Sequence, residues 1–382
     1  MPKPLLILGD SPSCSSGLGR IVRDLAIRIH DYMPDAFRVA TLGYGGAGSI
    51  DLPFQQYSIQ GMKDFLVPDL PIVVEDFARG EECVLLCCWD VSRLLWLTPE
   101  ACPLPALAQW LKAYPLRKWV YGALDAEGPD RGLSYLLSQS YKGFDRVLNY
   151  SSFSSKVTGY PDHLPHGIDT KVFYPRDKKE ARQKLIESGF KGLTHKSLLV
   201  GIVATNQSRK DYALGIQTVM ELISRGYDAR LWIHTDHLNR FWDFPALVTD
   251  YKLQGRVVIT TNNFTDEQMS SMYAACDVTL GIGAGEGFGY PLAESIASGT
   301  PVVHGRYAGG DEVVGTWMTV EPIAYRYEGP YCMKRPVFDV RDWADKVCLI
   351  VRGYRIQTVL DERFDWDNLW PKWECWLRKG LK

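Results

Sequence analysis

The stretch Cys276–Val303, CDVTLGIGAGEGFGYPLAESIASGTPVV, contains a complete strand–loop–helix unit. Its first part, CDVTLGIG, is an apolar run of strand length, and AGEGFG is too rich in glycine for a regular element. YPLAESIAS then has helical character, with Pro291 in the first turn, where proline is tolerated, and Gly299 at the end, where glycine terminates helices. The stretch therefore predicts a loop between the carboxyl end of a strand and the N-terminus of a helix.

This loop has the features of an anion site, because the backbone N–H groups at a helix N-terminus lack partners and carry partial positive charge. Three glycines let a phosphate approach the backbone closely: Gly285, Gly287 and Gly289. Two acids, Glu286 and Glu294, suit a ligand with hydroxyl groups on either side of a phosphate, such as a nucleotide sugar. They are equally consistent with a simple electrostatic preference for a helix N-terminus, and no basic residue stands beside them in the sequence.

Strand-length apolar runs alternate with helical patterns in both halves of the chain. The runs are PLLILG, FRVATLG, CVLLCCWD, KWVYGALD and RVLNYS in the first half, and SLLVGIVAT, ARLWIHTD, RVVITTN, VTLGIG and TPVVHG in the second. This alternation predicts an α/β fold with two doubly wound parallel sheets. Ligands bind such sheets at the carboxyl ends of the strands.

The segment between the halves, YPDHLPHGIDTKVFYPRDKKE, contains three prolines and no periodicity, and it predicts a linker. We expect an N-terminal α/β domain over residues 1–167, a C-terminal α/β domain over 168–358, and a helical segment over 359–382 that packs back toward the N-terminal domain.

Three tryptophans in the last segment, Trp366, Trp370 and Trp373, share one helical face, which is typical of core packing. Pro371 predicts that this helix is interrupted or restarted, because proline lacks the N–H group that a helix interior needs.

Composition and charge exclude several classes of protein. The chain has 382 residues, a net charge of −2 and 46% hydrophobic residues, which is ordinary for a globular enzyme and does not indicate a strongly basic nucleic-acid binder. The apolar runs are shorter than the roughly 18 residues of a membrane span, and MPKPLLILGD lacks the features of a signal peptide, so we expect a cytoplasmic protein. Nine cysteines at irregular spacings are expected to be buried free thiols rather than metal ligands.

The segment EGFGYPLAE resembles the E-x7-E motif of the retaining GT-B glycosyltransferases of family four. The similarity extends over TDEQMSSMYAACDVTLGIGAGEGFGYPLAESIASGTPVV, LPHGIDTKVFYP and SSGLGRIVRDLA, so it covers essentially the whole chain. It implies a GT-B fold, in which two doubly wound parallel-sheet domains face each other across a cleft. The N-terminal domain would bind the acceptor and the C-terminal domain the nucleotide sugar.

The resemblance also assigns roles in the C-terminal half. Glu286 would hydrogen-bond hydroxyl groups of the donor sugar, and Glu294 would bind the nucleotide ribose. The N–H groups of Phe288 and Gly289, which follow Gly287, would face the sugar or the diphosphate.

Arg209 and Lys210, in ATNQSRKDYALG, resemble the basic pair that neutralises the diphosphate, although many family members separate the two residues. Together with a helix N-terminus they would stabilise negative charge on the leaving nucleoside diphosphate. We therefore expect no metal or other cofactor, and a UDP-sugar as the co-substrate. The resemblance implies that no enzymatic nucleophile acts at the sugar, and that the acceptor attacks the face from which the diphosphate leaves.

In the N-terminal half the resemblance places Gly17 and Gly19 beside the phosphate and the transferred sugar, with Arg20 adding charge. VYGALDAEGP occupies the place where the family often has a histidine, but this chain has a leucine before Asp125. Asp125 is therefore the first candidate for a polar group near the sugar, and Glu127 is the second. Both also suit a turn at the end of a strand.

The acceptor is indicated by a second resemblance. GDSPSCSSGLGR is similar to the opening of glycosyltransferases of bacteriophages, some of which modify hydroxymethylated pyrimidines in DNA. We predict such a base as the acceptor. The candidates for a basic stripe toward the DNA phosphates are Arg117, Lys118, Arg20 and Arg23, which equally suit solvated surface charges.

The irregular stretch over residues 42–61 is expected to border the cleft, and Tyr44, Phe54 and Tyr57 within it are candidates to stack on a ring. A saccharide or small-molecule acceptor is the alternative to DNA. A sugar-nucleotide epimerase and a non-catalytic nucleotide-binding module are alternatives of other classes. The E-x7-E motif disfavours the epimerase, and an intact set of acids and cations argues against a decayed site.

Overall fold

The computed structural model describes residues 1–14, 16–45, 50–59, 66–354 and 359–382. Parts of the stretch 42–61 lie outside the described residues, whereas its three aromatic candidates lie inside them. The chain divides into two compact units. Unit 1 comprises Met1–Pro165, Gly329–Met333 and Trp370–Lys382, and unit 2 comprises His166–Glu328 and Lys334–Leu369.

Unit 1 is built on a parallel sheet of six strands. The strands are β1 (Lys3–Asp10), β2 (Phe37–Tyr44), β3 (Gln55–Ser58), β4 (Cys83–Cys88), β5 (Leu116–Gly122) and β6 (Arg146–Asn149), in the spatial order β3-β2-β1-β4-β5-β6. The helices are α1 (Gly17–Tyr32), α2 (Leu70–Ala78), α3 (Pro105–Ala113), α4 (Leu133–Tyr141) and α5 (Ser152–Thr158). Each of the five apolar runs of the first half forms a strand, while β3 has no apolar run and was not predicted.

Unit 2 contains a second six-stranded parallel sheet. Its strands are β7 (Leu198–Val203), β8 (Ala229–His234), β9 (Val257–Thr260), β10 (Val278–Gly281), β11 (Val302–Gly305) and β12 (Thr319–Val320), in the order β12-β11-β10-β7-β8-β9. Two further strands, β13 (Ala324–Glu328) and β14 (Met333–Val337), pair with each other. Counted from its own first strand, this sheet repeats the strand order of unit 1.

The remaining helices are α6 (Lys178–Glu187), α7 (Tyr212–Ser224), α8 (Phe244–Asp250), α9 (Asp266–Ala275), α10 (Tyr290–Ala297), α11 (Gly310–Val314), α12 (Val340–Val351) and α13 (Trp366–Lys379). None of the helices in the described ranges combines the length and the apolar character needed to cross a membrane.

The central strands are buried on both faces, as expected when helices cover both sides of a parallel sheet. All six residues of β4 are buried. Its cysteines, Cys83, Cys87 and Cys88, are free buried thiols, as predicted, whereas Cys332 and Cys375 are exposed, so the prediction of burial is wrong for those two.

Helix α13 runs without a break through Pro371, so the predicted interruption is wrong. Proline removes one backbone hydrogen bond and costs about 3 kcal/mol in a helix interior. Burying one large apolar side chain contributes about 1.5–3 kcal/mol, and Trp366, Trp370 and Trp373 are all buried. The packing of this aromatic face therefore outweighs the missing hydrogen bond.

Candidate active site

Two loops meet at the carboxyl edge of the unit 2 sheet, because the chain leaves the neighbouring strands β7 and β10 in opposite directions. The backbone joins these loops directly. Ala284 N donates to Arg209 O at 2.8 Å, and Asp211 N donates to Ile282 O at 3.0 Å. Residues that are more than seventy positions apart in the sequence thus become neighbours at the place where doubly wound sheets bind ligands.

The joined loops bring both predicted cations onto one predicted acid. The Lys210 ammonium pairs with Oε1 of Glu286, and Arg209 Nη1 lies 3.5 Å from Oε2. Arg209 Nη1 also donates to Gly285 O at 3.1 Å. The sequence showed no basic residue beside Glu286, whereas the fold supplies two.

This ion pair is largely removed from solvent. The side chains of Glu286 and Lys210 are 15% and 8% exposed. Burial raises the pKa of Glu286, but the positive charges of Lys210 and Arg209 outweigh that effect and lower the pKa to about 2. The carboxylate stays ionised because two cations face it.

Glycine is required opposite this carboxylate. A Cβ atom on Gly283 would lie 2.2 Å from Glu286 Oε1, so any larger residue would displace the acid from its cations. The Glu286 backbone is fixed as well, since its carbonyl accepts a hydrogen bond of 2.8 Å from Gly309 N.

Helix α10 begins at this loop with an open N-terminus. Its N-cap residue is Gly289, with a φ of 94°, which has no side chain to cap the first turn. Pro291 lies in the first turn and Gly299 follows the last residues of the helix with a φ of 83°, as the sequence predicted. No side chain of the described residues caps this first turn, in which Pro291 has no N–H group and Leu292 N donates to Gly289 O at 3.0 Å. The positive end of the helix dipole at this loop favours an anion.

Phe288 anchors the loop just before this helix. Its ring is buried and lies 4.8 Å from the ring of His166 and 5.6 Å from that of Phe364. The aromatic contacts hold the side chain in the core of unit 2, so that the position of the Phe288 backbone is set by packing.

The second acid, Glu294, is buried inside α10 and accepts a hydrogen bond of 2.8 Å from Tyr273 Oη on α9. A small cavity in unit 2 is lined by Tyr273, Glu286 and Pro291, among other residues. Tyr273 thus links the buried acid to a cavity that Glu286 also borders. The sequence analysis missed Tyr273. This residue lies in the segment TDEQMSSMYAA, which directly precedes the stretch Cys276–Val303.

His304 is a second residue that the sequence analysis missed. It lies in β11, is fully buried, and its Nδ1 is 2.5 Å from Gly281 O. Burial lowers its pKa, and Nε2 has no hydrogen-bond partner within the part of the chain that the structure describes. Its position near the carboxyl end of the apolar run TPVVHG was the available signal.

Comparisons with known proteins agree with this geometry. Residues 195–349 match the model of the glycosyl transferases group 1 family. This part of unit 2 is therefore similar to the group 1 glycosyl transferases. The matched residues include the cation pair and both acids of the candidate site.

One curated relative is the MMP α-(1→4)-mannosyltransferase of Mycolicibacterium hassiacum, which is 28% identical to this chain over 219 residues. The alignment covers 55% of this chain and 46% of the relative, so it spans about half of the length of that protein.

Several solved structures match nearly all of the chain, and two of them show the similarity well. Sucrose-phosphate synthase from Thermosynechococcus elongatus has a TM-score of 0.72 at 17% identity, covering 99% of both chains. Anabaena Alr3699/HepE, solved in complex with UDP-glucose, has a TM-score of 0.68 at 15% identity, again covering 99% of both chains. These similarities confirm the predicted GT-B fold, with two parallel-sheet domains.

The glycine loop predicted in unit 1 lies at the carboxyl end of β1. Gly17 and Gly19 begin α1, and the Ser16 side chain caps this helix by accepting a hydrogen bond of 3.0 Å from Gly19 N. Asp10, at the end of β1, accepts hydrogen bonds from Ser16 Oγ at 2.6 Å and Trp89 Nε1 at 2.9 Å. In contrast to the loop before α10, the glycine loop is thus held by hydrogen bonds to the side chains of Ser16 and Asp10.

The other candidates in unit 1 follow neighbouring strands. Asp125 and Glu127 come after β5 as half-buried residues and alternate with buried Leu124 and Ala126. Tyr44, the last residue of β2, is 41% exposed.

Three further candidates in unit 1 have partners of their own. Arg20 lies on α1 within 3.7 Å of Asp24. Phe54 packs 5.9 Å from the ring of His30. Tyr57 donates a hydrogen bond of 2.5 Å to Asp76, so these two aromatic side chains are held by neighbours within unit 1.

The basic stripe predicted for DNA binding is not formed, and that prediction is wrong. Arg117 and Lys118 lie at the amino end of β5, opposite the sheet edge that carries the glycine loop. Arg117 Nε is 2.6 Å from Glu82, and Lys118 Nζ donates to Leu97 O at 2.9 Å. The first residues of a parallel strand lie at the sheet edge opposite the ligand-binding edge, so Arg117 and Lys118 cannot line it. Arg23 in α1 lies 3.5 Å from Asp24, which is its own ion-pair partner.

Proposed function

We propose that this chain is a retaining glycosyltransferase that moves a sugar from a UDP-sugar to a hydroxyl acceptor. The proposal rests on the ion cluster of Arg209, Lys210 and Glu286 beside the open N-terminus of α10. A buried lysine and a half-buried arginine next to an uncapped helix N-terminus suit the diphosphate of a nucleotide sugar. The match of HepE, which was solved with UDP-glucose, supports uridine as the base.

In the proposed mechanism, the bond between the anomeric carbon and the diphosphate oxygen breaks, and negative charge develops on the leaving group. Arg209, Lys210 and the N–H groups of Phe288 and Gly289 would stabilise that charge. The acceptor oxygen bonds to the same face of the anomeric carbon, and its proton moves to a diphosphate oxygen. No enzymatic nucleophile and no metal are needed in this scheme.

Glu286 and Glu294 would bind hydroxyl groups at the two ends of the donor. Glu286 borders the cavity and would hydrogen-bond the sugar, and the adjacent Gly287 has no side chain that would obstruct it. Glu294 would bind the ribose with one carboxylate oxygen, while the other accepts from Tyr273. Tyr273 would act as a positioning residue.

Unit 1 would supply the acceptor side of the reaction. Gly17 and Gly19 would approach the transferred sugar, and Asp125 would contact the reacting hydroxyl. Arg20, Glu127 and Tyr44 would line the path of the acceptor.

We propose a saccharide or another small hydroxyl compound as the acceptor in preference to DNA. The hydroxymethylpyrimidine hypothesis rests on the opening GDSPSCSSGLGR, and its basic stripe is contradicted by the contacts of Arg117 and Lys118. The curated relative is named as an α-(1→4)-mannosyltransferase, which supports a sugar hydroxyl as the acceptor.

The test is an assay of the full chain with UDP-, GDP-, ADP- and dTDP-sugars. Each donor is combined with a saccharide panel or with DNA that contains hydroxymethylcytosine, and products are identified by mass spectrometry. We expect transfer to a saccharide from a UDP-sugar, with an unchanged anomeric configuration in the NMR spectrum. An epimerised nucleotide sugar without transfer would contradict the proposal, and a sugar adduct on DNA alone would restore the DNA acceptor.

A further inference from the structure

Glu286 already pairs with the two cations that the proposed donor would need. Its two carboxylate oxygens face Lys210 and Arg209, one oxygen for each cation. The proposed donor must bind the same two cations, so the carboxylate and the diphosphate compete for them.

The charges of the site do not balance once a donor is bound. Without a donor, two positive charges face one buried carboxylate. The diphosphate diester of a nucleotide sugar adds two negative charges, which gives three negative charges for two cations. Charges at this depth are screened little by water, and an excess negative charge there is unfavourable.

We propose that the donor diphosphate takes the two cations from Glu286 and that Glu286 takes up one proton from solvent in the same step. This inference rests on the proposed function, because it requires a nucleotide sugar at the cation pair. The proton bonds to a carboxyl oxygen of Glu286, and it returns to solvent when the nucleotide leaves.

The balance of effects on the free protein supports this step. Burial is the largest effect on Glu286 and raises its pKa, while Lys210, Arg209 and, to a smaller extent, His304 keep the pKa low. When the diphosphate neutralises these cations, burial and the added negative charge both favour the protonated form. A neutral carboxyl group can then donate a hydrogen bond from its O–H to the donor, which a carboxylate cannot do.

His304 is the alternative proton acceptor. It is a buried imidazole that interacts electrostatically with Glu286, Lys210 and Asp311. Besides these groups, Arg209 faces Glu286, and Arg306 lies 3.9 Å from Asp311. A diphosphate near Lys210 would also favour protonation of His304, so the experiment must separate the histidine from the acid.

The experiment is isothermal titration calorimetry of the full chain with UDP-glucose, GDP-mannose, ADP-glucose and dTDP-glucose. Their diphosphate diesters do not titrate between pH 5.5 and 8. Titrations in two buffers with different ionisation enthalpies count the protons taken up. We expect an uptake of about one proton at pH 7. Because binding takes up a proton, the association constant should fall about tenfold for each unit by which the pH rises.

Two variants identify the group that takes the proton. In Glu286→Gln we expect almost no uptake and an association constant that no longer depends on pH. In His304→Gln we expect the uptake of the wild type. Circular dichroism melts check that both variants are folded, and if Glu286→Gln is not folded, the wild-type uptake and its survival in His304→Gln decide.

The outcomes separate the two levels of the proposal. If none of the four nucleotide sugars binds, the proposed function fails and this inference fails with it. Binding without proton uptake overturns the inference and leaves the proposed function standing. Uptake that persists in Glu286→Gln and disappears in His304→Gln assigns the proton to the histidine and also overturns the inference.

Discussion

The two sheets have the same strand order, yet the carboxyl edges at their centres hold their acids in opposite ways. In unit 1 the Asp10 carboxylate accepts hydrogen bonds from a serine hydroxyl and an indole N–H, and Ser16 caps the following helix. In unit 2 the Glu286 carboxylate is held by two cations, and the following helix begins at an uncapped glycine. The strand order determines where a ligand can bind, and the loop side chains determine whether an anion is favoured there.

The contrast locates the proposed anion site in unit 2. A capped helix N-terminus beside a carboxylate has one N–H group occupied and repels a phosphate. An uncapped N-terminus beside two cations attracts one. Changes on the two sides should therefore affect different measurements.

Loss of a cation in unit 2 should have the largest effect. Lys210→Ala removes positive charge from the leaving diphosphate, and kcat is expected to fall by about 100-fold or more. The control is Lys178→Ala, because Lys178 pairs with Asp277 at 3.3 Å on the surface of the same unit. A near wild-type kcat for Lys210→Ala in steady-state assays would contradict the assignment of the anion site to the cations of unit 2.

Loss of the hydrogen bond to the second acid should have a smaller effect. Tyr273→Phe leaves the buried Glu294 without its hydroxyl donor, and we expect KM for the donor to rise about tenfold, since a lost bond to a charged group costs about 1.5 kcal/mol. The kcat value should change little, because Glu294 is proposed to bind the ribose rather than the reacting centre.

The matched control is Tyr251→Phe, since Tyr251 Oη accepts a hydrogen bond of 2.9 Å from Gln217 in the same unit. An equal loss of thermal stability in both variants, with KM raised in neither, would show that Tyr273 is purely structural.

On the unit 1 side, Ser16→Ala should lower stability without weakening donor binding. Removal of an N-cap side chain costs about 1 kcal/mol of unfolding free energy. The donor Kd should change by less than about twofold, because the lost contact serves α1 itself. Urea unfolding and donor titration of the same sample check both values. A donor Kd that rises by more than about twofold would mean that the capped loop also binds the donor.

The smallest effect is expected from chelation. The cations of unit 2 already face the proposed diphosphate site, so transfer should continue at the same rate in excess EDTA. Activity that is lost in EDTA and restored by Mg²⁺ or Mn²⁺ would mean that these side chains are insufficient by themselves.

Much of the fold was predictable because buried parallel strands form apolar runs that end at glycine or polar residues. The hairpin of β13 and β14 was not, since the exposed segment AYRYE has no such run. The ion pair of Lys210 and Glu286 could not be predicted as a contact, because it spans 76 positions and depends on how two loops pair. The prediction of the basic stripe was wrong because Arg117 and Lys118 lie near the start of β5, and the start of a parallel strand lies away from the ligand-binding edge.

The aromatic contacts at the end of α13 have a consequence for biosynthesis. Trp373 and Trp376 belong to unit 1, where their rings lie 4.7 Å from Tyr121 and 5.5 Å from Trp119. Arg146 also donates a hydrogen bond of 2.7 Å to the carbonyl of Trp376. The ribosome makes this segment only after almost all of unit 2. Unit 1 therefore begins to emerge first but completes its packing later, and until then β5 exposes aromatic surface that a chaperone can bind.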